Sequence, residues 1–123
     1  MLTRIFLLLS AALWGLYGIY CLLVPGSLHE AAGIVAVTPT GTTELRAMYG
    51  GLQTAIGVLA LLGAVRGSLT RTALVTLGTL ALGLGSARLF GVFVDGHFTA
   101  YTGMGLGFEW FTVLASRYLL RRK

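Results

Sequence analysis

The run IFLLLSAALWGLYGIYCLLV, residues 5–24, is 20 residues long and carries no charge. That is the length an α-helix needs to cross about 30 Å of hydrocarbon at about 1.5 Å per residue. It exceeds the apolar core of a secretory signal, includes Trp14, Tyr17 and Tyr20, and ends in Pro25-Gly26 without a small-x-small cleavage pattern. It therefore reads as a retained transmembrane helix. Ser10, Trp14, Tyr17 and Cys21 fall on one face of it, an aromatic packing seam, while Gly15 and Gly18 permit close approach of another backbone.

Composition extends that reading to the whole chain. Of 123 residues, 56% are hydrophobic and 11% charged, and the mean hydropathy is +0.86; a single integral membrane domain over residues 1–123 is expected. Cys21 is the only cysteine, so an intrachain disulfide is excluded and the thiol reads as a small hydrophobe. The net charge is +5, but seven of the nine basic residues (Arg4, Arg66, Arg71, Arg117, Arg121, Arg122 and Lys123) flank apolar runs. Such residues are topology signals rather than a nucleic-acid patch, and no nucleic-acid partner is expected.

Residues 25–43 hold both prolines and the segment TPTGTT, and read as an outer loop. Its apolar middle, LHEAAGIVAV, is too short to span and suits an interfacial or re-entrant piece. His29 and Glu30 stand together without a third ligand at useful spacing, so no metal site is expected. Three more helices are expected at about 44–65, 69–94 and 98–119, separated by Arg66-Gly67-Ser68 and Asp95-Gly96, with Thr42 or Thr43 capping the first of them. The fold class that follows is an all-α integral membrane protein, an up-and-down bundle of four transmembrane helices. Basic residues at both ends and at the 66–71 turn place both termini in the cytoplasm, in a bacterial inner membrane.

Function concentrates where charge enters these helices. ELRAMYGGLQ, residues 44–53, brings a carboxylate, a guanidinium, a phenol and an amide into an apolar context, and Arg88 and Glu109 interrupt later runs. Intramembrane ionisable groups are functional-site candidates by default. A charge at mid-helix costs about 2.5 to 3.5 kcal/mol on insertion scales, which the few large apolar residues near Glu109 only about offset. Glu109 must be paired, protonated or wet. Small residues share faces with these charges: Gly78, Ala81 and Gly85 with Arg88 and Asp95, and Gly105, Thr112 and Ser116 with Glu109. Counting about 1.5 Å per residue from the outer helix ends puts Gln53, Arg88 and Glu109 at overlapping depths in the outer half of the membrane.

ELRAMYGG, an Arg followed by a Val-Asp-Gly turn, and a Glu in the last helix resemble an uncharacterised family of small bacterial four-helix membrane proteins, known as a domain of unknown function. The resemblance covers nearly the whole chain. It implies a four-span inner-membrane protein with Glu44, Arg46, Tyr49, Gly50, Gly51, Arg88, Asp95 and Glu109 as characteristic positions, and implies no activity. A fainter likeness, through Arg46-Ala47, is to the trimeric four-helix membrane transferases of eicosanoid and glutathione metabolism. Gly50 and Gly51 stand where those proteins carry an Asn and a second acidic residue.

CxxC, HExxH, Walker and GxSxG patterns are all absent, and Gly103, Gly105 and Gly107 lie within a span rather than a phosphate loop. No cofactor is expected; His29 and His97 lie outside the bundle that a haem would need. The expected ligand-binding set is Glu44, Arg46, Tyr49, Gln53, Arg88, Asp95 and Glu109, around a lipid-like or amphipathic molecule. A non-catalytic accessory subunit of a membrane complex is the alternative. A transferase or isomerase with Glu109 as acid or base, Arg88 as anion partner and Tyr49 as donor is a second. Gly15, Gly57, Gly63, Gly83 and Gly107 leave notches on several faces, and a homo-oligomer is expected.

Overall fold

The computed structural model describes residues 1–122; Lys123, the last residue of the basic tail, lies outside them. Among the described residues all regular structure is helical: α1 (Leu2–Leu23), α2 (Ser27–Ala32), α3 (Pro39–Leu45), a π-helical segment (Arg46–Gly51), α4 (Leu52–Val65), α5 (Gly67–Asp95) and α6 (Ala100–Arg121). Three stretches, Leu2–Leu23, Pro39–Val65 and Gly67–Asp95, are long and apolar enough to cross a membrane. The fourth expected span, α6, has 22 residues but not their sustained apolarity, because Glu109, Arg117 and a series of hydroxyls and glycines dilute it.

The chain divides into two compact units, residues 1–70 and 71–123. In the first, α1 packs antiparallel on the π segment and α4 through glycines. Cβ atoms placed at Gly57, Gly18 and Gly50 would fall 2.6 Å from Gly15 Cα, 2.5 Å from Thr54 N and 2.7 Å from Leu22 Cα. Backbone thus lies on backbone, the small-residue contact by which membrane helices associate when hydrophobic transfer no longer drives them together. Gly15 and Gly57, expected as notches for a neighbouring subunit, instead fill each other within one chain. Gly83 and Gly107 have open space around them.

The second helix starts at Pro39, five residues before the expected Glu44. Thr38, rather than Thr42 or Thr43, is its N-cap: the Thr38 hydroxyl accepts from Gly41 N at 3.1 Å, and Pro39 takes the first-turn position where a missing N–H has no penalty. The expected outer loop contains α2 as well, closed by Gly33 in the left-handed region (φ 70°), a conformation glycine adopts without strain. Between α4 and α5 the chain leaves the helix only at Arg66, where φ −116° and ψ 107° are extended. The Thr70 hydroxyl then donates to the Gly63 carbonyl at 2.8 Å, across that break.

In the second unit α5 and α6 form an antiparallel hairpin about Gly96 (φ 63°), with Thr99 capping α6 by accepting from Thr102 N at 3.2 Å. Gly78 faces Ser116, where a Cβ on the glycine would lie 3.2 Å from the serine Cβ, and Gly85 faces Glu109 and Trp110. Small apolar residues and leucines fill the interior, with Ala73, Leu74, Leu77, Ala81 and Leu119 buried. Phe90, Phe93, Phe111 and Leu114 of the same hairpin point outward, all at least 60% exposed. An apolar exterior over a small-residue interior is the arrangement a lipid environment favours.

Candidate functional site

The α5–α6 hairpin brings together the two charges that interrupt its apolar runs. Arg88 Nη2 donates to Glu109 Oε1 at 2.7 Å, and Nε lies 3.2 and 3.1 Å from the two carboxylate oxygens. This side-on, two-pronged geometry is the strong form of the arginine–carboxylate bond. Both partners sit where helical spacing puts them: Gly85 and Arg88 three apart on α5, Gly105 and Glu109 four apart on α6. Gly105 makes room for the guanidinium, since a Cβ there would lie 2.9 Å from Arg88 Cζ. The carboxylate side chain is 4% exposed, that of Arg88 29%, so the pair has one sealed side and one open side.

Tyr101 adds a wall that sequence reasoning missed. Its ring centroid lies 6.0 Å from Arg88 Cζ, at the outer limit of a cation–π contact. Its position was legible, because Tyr101, Gly105 and Glu109 recur every four residues on one face of α6. Thr112, one turn beyond Glu109, is buried and donates its hydroxyl to the Phe108 carbonyl at 2.8 Å. Asp95, named with Arg88 from sequence, turns its carboxylate back over Gly91 of its own helix, 3.7 Å from where a Cβ there would be.

The remaining named residues belong to the first unit. Arg46 opens the π segment and its Nη1 donates to the Leu22 carbonyl, with the Leu23 carbonyl 3.5 Å away. These are terminal carbonyls of α1, left unpaired by the helix and carrying its negative dipole end. α1 has no basic residue in its own last turn, and Arg46 supplies that charge from another helix. Glu44 is exposed, and Tyr49 and Gln53 are half-buried. The segment RAMYGG is π-helical throughout; the glycine pair lowers the steric cost of the wide turn, and Thr54 donates to the Gly50 carbonyl at 2.8 Å. No group of three or more metal-ligating side chains occurs among the described residues.

Neither a curated protein nor a solved structure matches the chain. A family model described as "Domain of unknown function (DUF4345)" matches residues 2–120, nearly the full length of both units. The chain is a member of that family, the DUF4345 domain of unknown function.

Proposed function

We propose that this is a multi-pass protein of the bacterial inner membrane whose α5–α6 hairpin holds the polar end of an amphipathic molecule through Arg88 and Glu109. One observation carries the reading: a carboxylate only 4% exposed is gripped on two sides by a guanidinium that stays 29% exposed. The buried acid fixes the arginine, and the open edge of the arginine meets an anionic or carbonyl head group, with the Tyr101 ring alongside. The long apolar part of such a molecule follows the lipid-facing side chains. α6 completes a fourth span in this reading, its polar stripe turned inward, with both termini cytoplasmic and a homo-oligomer as the working state. Glu44, Arg46, Tyr49, Gln53 and Asp95 are not required for it.

A second reading has its own support. The close approaches of Gly78 to Ser116 and of Gly85 to Glu109 are what a structural ion pair in an accessory subunit would have around it. Lipid extraction and mass spectrometry of purified wild type and the Arg88→Met, Glu109→Leu double variant separate the two. Loss of a copurifying amphiphile from a stably folded variant supports the site; an unchanged profile supports the structural role.

A further inference from the structure

An open recess lies in the first unit, where α1 ends and α2 turns back beside it. It has a volume of about 340 Å³ and is lined by Tyr17, Tyr20, Ser27, Glu30 and Ala31, a size at the lower end of small-molecule sites, about 300 to 1,000 Å³. We propose that this pocket binds an organic ammonium ion, a primary or quaternary amine carried on a phospholipid headgroup or free.

The chemistry of the lining points to that class. Two phenol rings, 36% and 52% exposed, offer electron-rich faces that attract ammonium groups. Glu30 is the only charged residue in the lining. Between Arg4 and Arg46 the chain contains no lysine or arginine, and Arg46 itself is engaged on the Leu22 and Leu23 carbonyls. A carboxylate and two aromatic rings around one recess form a cation site, unsuited to anions.

Local structure holds the recess open. Ser27 N and Oγ both donate to the Val24 carbonyl, at 3.1 and 2.7 Å, which fixes the turn after Pro25. Leu28, 1% exposed, anchors α2. Gly33 N donates to His29 O and Ile34 N to Leu28 O, at 2.9 and 3.2 Å, and these bonds close its far end. With Leu28 turned inward, Ser27, Glu30 and Ala31 share the face that lines the pocket, whereas His29 lies off it.

Depth matches a headgroup. Tyr20 and Tyr17 lie roughly 4.5 and 9 Å from the Leu23 end of α1 at about 1.5 Å per residue, the interfacial level where tyrosines concentrate in membrane proteins. The same helix end carries Arg46 on its terminal carbonyls, a positive group for a phosphate attached to the amine.

The test uses the full chain in nanodiscs of equal phosphatidylethanolamine and phosphatidylglycerol, released for native mass spectrometry. Phosphatidylethanolamine adducts are expected to dominate for wild type and for Glu30→Asp, and to fall about two- to fivefold in Glu30→Gln and in Tyr20→Leu. Tetramethylammonium should displace them from the wild type, a control independent of any variant. A second arm titrates choline into the detergent-solubilised protein, followed by tyrosine fluorescence. Saturation by choline that depends on Glu30, without lipid enrichment, supports the site with a free amine as ligand. Lipid enrichment indifferent to Glu30 and to tetramethylammonium, or no response in either arm, overturns the proposal.

Discussion

Gly105 lies directly beneath the guanidinium of Arg88, close enough that a Cβ there would come within 2.9 Å of Nε and Cζ. The arginine is a flexible side chain, but Glu109 pins it at three hydrogen-bond distances, so it cannot swing aside without loosening the ion pair. Gly105→Ala should destabilise the hairpin by about 1 to 3 kcal/mol, the usual range for overpacking. In an Arg88→Met, Glu109→Leu background, where nothing holds the side chain over Gly105, the same substitution should be close to neutral. A double-mutant cycle from melting in mild detergent measures the difference; equal effects in both backgrounds would show that the glycine serves another purpose.

Glycines elsewhere should divide sharply by what faces them. Gly57→Ala and Gly18→Ala drive a methyl group into backbone atoms at 2.6 and 2.5 Å, which cannot yield locally. Each should lower stability by about 1 to 3 kcal/mol. Gly83→Ala and Gly107→Ala meet nothing within 4 Å and should be neutral or stabilising by up to about 1 kcal/mol, the helix-propensity gain. A strong loss at Gly83 or Gly107 would point to a neighbouring subunit seated there, which makes the pair a probe of assembly too.

These contrasts show which parts of the molecule were legible before the structure. The α5 and α6 faces, and with them the meeting of Arg88 and Glu109, follow from helical spacing alone, since glycines recur beside each charge. Tyr101 obeys the same spacing, but an aromatic ring in a span ordinarily signals packing. Arg46 is a different case. Its intramembrane context points to a ligand, but its partners are main-chain carbonyls at Leu22 and Leu23, and no side-chain pattern advertises an unpaired helix end. The π turn was equally silent, because a one-residue widening leaves no mark on hydropathy.

Arg46 now has a defined structural job. Arg46→Met should remove the charged donor from α1's last carbonyls and destabilise the first unit by about 1 kcal/mol, reduced from the range for buried charged hydrogen bonds by its exposure. Arg46→Lys should restore part of that. Hydrogen exchange at the end of α1 is the direct readout, and protection unchanged in Arg46→Met would sink the capping role.

The basic residues cluster at Arg4, at Arg66 and Arg71, and at the C-terminal end, and the positive-inside rule turns that into a testable expectation for topology. A reporter fused after the C-terminus should register as cytoplasmic, and one inserted near Thr40 as external. If α6, the least apolar of the long helices, failed to cross, the C-terminal reporter would turn external while the Thr40 signal held. The two fusions together thus count the spans as well as orient them.

The Arg88–Glu109 pair itself offers the decisive experiment, because breaking a buried pair differs from replacing it. Glu109→Gln leaves a guanidinium that is 29% exposed with a weaker acceptor, and should cost about 2 kcal/mol, below the range for a fully buried pair. Arg88→Met with Glu109→Leu removes both charges, and hydrophobic replacement of a buried pair is often neutral or stabilising, so the melting temperature should return to wild type or exceed it. Stability alone does not separate site from glue, since both readings predict that recovery. Function does. A pair that only joins helices leaves the copurifying lipid profile and any cellular phenotype intact once the fold is restored, whereas a pair that grips a head group abolishes both. The open face of Arg88 and the Tyr101 ring beside it favour the second result: a stable double variant that no longer retains its amphiphile. A variant that is both stable and fully functional would remove the case for a site in the hairpin.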